Sequence, residues 1–535
     1  MDEAFRKAIE NITRYGDTDI FPLPVENHVL FDRKEEVLSL LRRMNEDARA
    51  SLAKDPPQHI GALAPAGYSG FRWATQLDPV WNAIYLGWVI SIAEEIEAVR
   101  TPLTSEQVFS YRFEWNETDK TLFKKEIGWR QFIDKAIQKA SLNKFVVSCD
   151  ISEFYPRINH HRLENSIRHL PSGGPVAERI RPFLSNYSNT YSFGLPIGGD
   201  ASRILAELVL NQVDSLLNAD AIDFIRFVDD FYLFADTPAE AFHALVTLTR
   251  ILNETQGLQL QKSKTRTMSG SEFLTSNPLA HDNADGAIEA PLGEARQAVM
   301  KINLHYDPYS STAEDDYARL QEQLGRFPII DLIRSELKKT RVNISLTKRL
   351  INIVRHLSED VVDDAALTLV RNEELLYPLY FNVLRTTKSI WSRLSAEAQT
   401  AIGGYVYELV SGRSRVMEVD VNLQYAIRLL GQHRDEGTRL LLNRVFRSAR
   451  SEVVGHDIIL IFFNWRDWHW LSALKNRFRS LPTTQRRAYI IASFGLGDEG
   501  EQWRNHVKRE LSDEEKIVRD WAEQKTRDND WKVPL

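Results

Sequence analysis

Cysteine is nearly absent from this chain: Cys149 is the only one among 535 residues. An intramolecular disulfide is therefore excluded, and so in practice is a cysteine-based zinc site. Long apolar runs are missing as well. The most apolar stretch, Val80–Ala93, is too short to cross a bilayer and runs straight into Glu94 and Glu95. The first residues, MDEAFRKAIE, lack a basic segment followed by an apolar one, so no signal peptide is expected and a cytoplasmic location follows. A strong excess of one charge is lacking too: the net charge is −7 and the pI about 6.1. That does not fit a histone or a coat protein, but a local basic channel can still sit in an acidic chain. What remains is ordinary: 43% hydrophobic and 26% charged residues, enough for a sizeable core and about three domains.

The texture changes along the chain. Residues 1–105 combine a polar helix (Asp2–Tyr15), a turn-rich stretch (Gly16–Pro24) and a long helix (Pro79–Val99). From Val108 to Met268, β-rich runs (Lys144–Cys149, Asp223–Val228, Phe231–Ala235) alternate with helical patterns (Ser202–Asn218, Ala239–Gln256). That alternation predicts an α+β unit with an antiparallel sheet. Residues 270–292 are rich in Ser, Asn, Asp, Gly and Pro and read as a loop. Beyond Ser311 nearly everything is helical: Ala313–Gly325, Pro328–Lys339, Ser345–Leu357, Asn372–Leu384, Ser395–Leu409, Leu423–Leu430, Asp435–Arg447, Trp468–Arg479, Thr484–Phe494 and Glu499–Leu511. Short amphipathic helices in succession suggest an α-solenoid of the HEAT kind, with a non-repetitive helical bundle as the alternative. The expected division is 1–105, 106–285, a linker at 286–312 and a helical domain at 313–535.

Two segments stand out chemically. In LNKFVVSCDISEFYPRI a β-run ends at Asp150 and aromatic residues follow. In DFIRFVDDFYLFADT two apolar, aromatic runs flank Asp229 and Asp230. The second reads as a tight hairpin with two acids at its tip. A hairpin tip with acids is usually a solvated turn. These strands, however, want burial, and acids held near a core need a chemical reason. Nucleotidyl transfer supplies one. It uses two magnesium ions about 3.5–4 Å apart, held by a few hard oxygen ligands at rigid strand ends.

Four blocks in order resemble the palm motifs of reverse transcriptases. Asp150–Tyr155 resembles motif A, Gly194–Gly198 with Ser202 and Leu205–Glu207 motif B, Phe227–Asp230 motif C, and Gly257–Leu260 with Lys264 and Thr265 motif D. The resemblance implies that Asp150 and Asp229 ligate two Mg2+ ions, with Mn2+ as a substitute. The Ile151 carbonyl would add an oxygen, and Asp230 would support them. It implies a steric gate at Tyr155 that favours dNTPs over rNTPs. Lys264 would approach the triphosphate and protonate pyrophosphate. Pro196 and Gly198 would let backbone approach the nucleotide. Ile197 stands where many retroviral enzymes have glutamine. Ser110–Phe113 resembles the fingers segment of bacterial relatives, which makes Arg112 a candidate triphosphate clamp. Lys124, Lys125 and Arg130 either line the same groove or are exposed helix charges.

Tyr15–Pro22, with the helical array in place of a thumb, is similar to the bacterial abortive-infection and defence-associated reverse transcriptases. That group implies an α+β fingers-palm module, a HEAT-like C-terminal domain, homo-oligomers and anti-phage defence. Its members make DNA either untemplated from a protein tyrosine or by copying a non-coding RNA. Candidate priming tyrosines are Tyr15, Tyr68, Tyr111, Tyr405, Tyr407 and Tyr489. Trp465, Trp468, Trp470, Arg477 and Arg479 could stack on single-stranded product, though rings at helical spacing are more often core. Three readings stay open: untemplated synthesis, RNA-templated copying, and a silent nucleic-acid scaffold.

Overall fold

The structure is a computed structural model. It describes residues 1–16, 20–68, 70–189, 191–276, 295–296, 299, 324–325, 327–448, 451–528 and 530–535. Residues fall into two compact units: Met1–Asp19, Glu26–Ile60 and Thr75–His281 in the first; Ile20–Val25, Gly61–Ala74 and Asp282–Leu535 in the second. The expected linker at 286–312 and the start of helix Ala313–Gly325 lie almost wholly outside the described residues.

The first unit is built on a four-stranded antiparallel sheet. A hairpin early in the chain, whose Gly61–Ala74 part belongs to the second unit, supplies β1 (His59–Pro65) and β2 (Phe71–Leu77), which pair with each other. The main sheet comprises β3 (Phe145–Asp150), β4 (Phe224–Phe227), β5 (Asp230–Ala235) and β6 (Arg266–Ser269), in the order β4-β5-β3-β6. β3 is central. It pairs with β5 from Phe145↔Ala235 to Asp150↔Asp230, and with β6 on its other side.

Strand alternation decides what each face does. On one face of β3 stand Val146, Ser148 and Asp150; facing them on β5 are Phe234, Tyr232 and Asp230. The apolar end of this face is covered by helix Trp129–Leu142, whose Phe132, Ile133, Ala136 and Ala140 join Val146, Ile225 and Phe234 in one core cluster. Tyr232 stacks on Phe132, ring centroids 5.0 Å apart. The helix ends its cover there, and the face changes from apolar to hydroxyl to carboxylate as it nears the strand ends. The opposite face buries Val147, Cys149, Phe231 and Leu233. Cys149 belongs to that interior, where burial pushes its thiol up to about 12.

Two helices frame the sheet: Asp200–Ala219, mostly buried, and Pro238–Ile251, started by a capping box of Thr237 and Glu240. The helix expected over Pro79–Val99 is two helices, Pro79–Ile90 and Ala93–Val99, interrupted at Ser91 and Ile92. The helical pattern expected over Ala239–Gln256 ends in a π-helical turn, Leu252–Gln256, closed by Gly257 in the left-handed region (φ 68°).

Outside its Gly61–Ala74 segment, the described part of the second unit is all helix and turn. Helices Tyr380–Ser389, Asp420–Leu430, Glu452–Asn464, Thr483–Ala492 and Asp513–Lys525 pack one against the next in series. Tyr68 is fastened within this unit: its hydroxyl donates to the Leu375 carbonyl (2.7 Å) and accepts from the Val342 amide (3.0 Å). Its ring meets Tyr377 edge-on. No described helix is long and apolar enough to cross a membrane.

Candidate active site

Three segments far apart in sequence bring the carboxylates together. β4 and β5 are joined by a two-residue turn, Val228-Asp229, with Phe227 paired to Asp230. Such a turn matches strand twist when its first residue has positive φ, a place where glycine is usual. Val228 fills it with φ 54°. A β-branched residue there is strained, at about 1–3 kcal/mol. The turn aims Asp229 at the end of β3, and the Ile151 amide donates to the Asp229 carbonyl (3.1 Å). Motif D closes the other side: Ile151 bridges Leu260, the Ser152 amide donates to the Gln259 carbonyl (2.8 Å), and the Gln261 amide to the Asp150 carbonyl (2.7 Å).

Asp150, Asp229 and Asp230 each present a carboxylate oxygen, all within 4.8 Å of one another. Like charges directly opposite on paired strands repel, and little solvent is there to screen them. Burial first, then Asp150, raises the Asp229 carboxyl to about 6. Burial, then Asp229 and Asp150, raises Asp230 to about 7. The Lys264 ammonium donates to Asp150 at 2.9 Å, and this bond raises its own pKa. One lysine against three acids leaves negative charge uncompensated. The donors are all hard carboxylate oxygens, and the lone thiol lies on the other face. That set fits a divalent cation of the Mg2+ or Mn2+ kind.

The other expected site residues divide. Tyr155 is half-buried next to Phe154. Burial holds its hydroxyl well above the ordinary range, and Tyr111, Arg203 and Asp229 act on it electrostatically. The motif B loop is pinned to motif A: the Leu195 amide donates to the Tyr155 carbonyl (3.0 Å) and the Gly194 amide to the Ile158 carbonyl (2.9 Å). Gly194 (φ 101°) and Gly198 (φ 120°) take conformations that other residues rarely adopt, and Pro196 between them is buried. Arg112 corrects the sequence expectation. Its side chain is only 2% exposed; it pairs with Glu97 (2.6 Å) and donates to the Thr101 carbonyl (2.9 Å). A guanidinium so engaged in the interior does not reach for a triphosphate. Lys124, Lys125 and Arg130 pair with Glu114, Asp119 and Asp134 as surface charges.

Sequence reasoning missed Arg203. It sits on the first turn of helix Asp200–Ala219, donates to Asp200 (2.7 Å), and lies over the Tyr111 ring at 5.2 Å. Its signal was the Asp200/Arg203 spacing of three, which puts both on one helix face. Of the priming candidates, Tyr111 is the one on which Asp229 acts electrostatically. The hydroxyls of Tyr15, Tyr405 and Tyr489 donate to the Asp119 carbonyl, Glu373 and the Leu471 carbonyl. Trp465 and Trp470 are packing residues, with their indole N–H groups on the Gly431 carbonyl and Asn443.

Residues 92–293 match the family model described as reverse transcriptase (RNA-dependent DNA polymerase). The chain thus carries a reverse transcriptase domain, and by that domain it is an RNA-directed DNA polymerase. Domains of this kind use divalent metals and bind nucleic-acid templates and dNTPs. Solved structures similar to the chain include telomerase from Candida albicans in complex with a TWJ fragment of telomeric RNA (12% identity, 72% of this chain and 68% of that one, TM-score 0.28). Apo telomerase from Candida tropicalis is another (10% identity, 72% and 64%, TM-score 0.29). Resemblance at this level says nothing further about the chain. No curated protein matches its sequence.

Proposed function

We propose that this protein synthesises DNA by two-metal nucleotidyl transfer at Asp150, Asp229 and Asp230. The observation that carries the reading is the convergence of their oxygens within 4.8 Å at the ends of β3 and the β4–β5 turn. Asp150 and Asp229, with the Ile151 carbonyl, would hold the ions, and Asp230 would complete the negative charge. Bound ions would supply activation of the primer 3′-oxygen and neutralise charge on the triphosphate. The chain's own residues do the rest. Lys264, 64% exposed on its side chain, is free to swing from Asp150 to the pyrophosphate as it leaves and to donate a proton there. Tyr155, whose hydroxyl feels the Asp229 charge, would offer the flat ring against which a 2′-hydroxyl clashes. Gly194 and Gly198 shape the loop against which the nucleotide rests.

The biological reading is bacterial anti-phage defence by a homo-oligomer, with the second unit as a HEAT-like array. It is supported by the Tyr15–Pro22 segment, similar to one in the defence-associated group, and by the serial packing of helices from Tyr380 to Lys525. Untemplated synthesis primed from a protein tyrosine and copying of a non-coding RNA are the two modes. The purified protein, supplied with magnesium and labelled dNTPs, separates them. Incorporation without added template supports the first. Incorporation abolished by nuclease removal of co-purified RNA supports the second. Asp229→Ala with Asp230→Ala should abolish synthesis while the fold stays intact; wild-type activity in that variant refutes the site.

A further inference from the structure

Beneath the acid-bearing turn lies a charged network with almost no solvent contact. Arg226 of β4, fully buried, points to the face opposite Asp230. Its guanidinium donates through Nε (2.8 Å) and Nη2 (2.5 Å) to both oxygens of Asp214, and reaches Glu207 at 3.1 Å. The remaining Nη1 donates to the carbonyl of Val228 at 3.1 Å. Glu207, also fully buried, accepts from Arg100 (2.5 Å) and from the Ser110 hydroxyl (2.6 Å). Burial alone would raise its carboxyl, but Arg226, Arg100 and Ser110 hold it below the usual range. Arg100 in turn donates to the carbonyl of Tyr111 (2.9 Å), a second non-glycine residue at positive φ (41°).

A buried ion network adds little net stability over an apolar equivalent, so its presence asks for another reason. Strained backbone persists only where its surroundings over-determine it. Here two strained residues, Val228 and Tyr111, each have the carbonyl gripped by a buried guanidinium seated on Glu207. A charge-assisted hydrogen bond is roughly twice as strong as a neutral one. A planar fork can serve Asp214, Glu207 and the Val228 carbonyl together, which an ammonium cannot.

We infer that Arg226, seated on Glu207 and Asp214, is a positioning residue that locks the Val228-Asp229 turn so that the Asp229 carboxylate meets Asp150 and Asp230 in metal-binding geometry. This rests on the metal-site reading above. The test is direct Mn2+ binding by the full-length protein, followed by electron paramagnetic resonance, in wild type, Arg226→Lys, Glu207→Gln and an Asp229→Ala control. Circular dichroism and melting curves report folding. Arg226→Lys keeps the charge and loses the fork; Glu207→Gln keeps the shape and loses the seat. Each should fold and bind Mn2+ about tenfold or more weakly, the usual scale for losing support behind a ligand. At saturating metal the dNTP KM of Arg226→Lys should stay within about twofold, because Arg226 grips the turn; Glu207→Gln, which also unseats Arg100 from beneath Tyr111, is read for metal binding alone. Folded variants that bind Mn2+ as tightly as wild type overturn the inference, and so does loss of folding in both. If wild type binds no better than Asp229→Ala, the metal site itself is wrong and the inference falls with it.

Discussion

Replacing Asp230 by asparagine should stabilise the metal-free protein while destroying its activity. The side chain keeps its shape and loses one of three converging charges. Asp229 and Asp230 sit at about 6 and about 7, well above the ordinary carboxylate range, because burial and mutual repulsion disfavour their charged forms. In the unfolded chain both titrate near 4. Between pH 4 and 7 the native state therefore holds more protons than the unfolded one, and stability falls as pH rises. The stabilising contribution is whole below about pH 4 and is lost as pH climbs through the folded values. Each unit of displacement is worth about 1.4 kcal/mol, and the two acids titrate as a pair. With partial solvent access at the cleft, about 2–4 kcal/mol for the pair is a reasonable scale. Removing one charge should restore about 1–2 kcal/mol at pH 8, or roughly 2–8 °C in the melting temperature of a unit this size. The assay is thermal melting in chelator from pH 5 to 8.5. The gap between Asp230→Asn and wild type should be widest above about pH 7 and narrow steadily as pH falls to 5, heading to close near pH 4. A variant less stable than wild type at pH 8, or a gap independent of pH, would refute the reasoning.

Three further outcomes follow from the geometry. Lys264→Gln should slow dNTP incorporation about 10²-fold or more, as loss of a proton donor does, with only a small change in melting temperature because the lysine end of its pair with Asp150 is 64% exposed. Tyr155→Ala should lower the dNTP/rNTP ratio of kcat/KM by about tenfold or more, since a gate works by a clash worth at least 1.4 kcal/mol; an unchanged ratio would place sugar selection elsewhere. Tyr68→Phe leaves the Val342 amide and the Leu375 carbonyl without their hydroxyl partner; it should cost about 1–3 kcal/mol, read as an earlier melting transition.

The carboxylate hairpin was legible in the sequence because strong apolar runs lie on both sides of Asp229 and Asp230, but its turn falls one residue earlier than a tip made of the two acids: Val228 and Asp229 form it, and Asp230 opens β5. β3 was legible for the same reason. What pattern cannot show is which charges are inside. Arg112 and Arg226 look alike on paper, yet both are buried and neither faces the cleft. The pairing of Arg226 with Asp214 and Glu207 joins a strand to a helix, and no local spacing announces it. Helix Glu452–Asn464 escaped notice because it is buried on every side from Val453 to Phe463, so it has no amphipathic stripe. The β1–β2 hairpin was hidden by the Ala- and Gly-rich composition of residues 61–67, which carries little strand propensity.

The small backbone ladder in which Ile151 meets Asp229 on one side and Leu260 on the other has a bearing on biosynthesis. The three acids are all translated by residue 230, but the segment that braces Asp150 from behind arrives only with Gln259, Leu260 and Gln261. Closing loops of that span is entropically slow compared with making helices. A nascent chain therefore carries all three acids before the residues that brace Asp150 have been made.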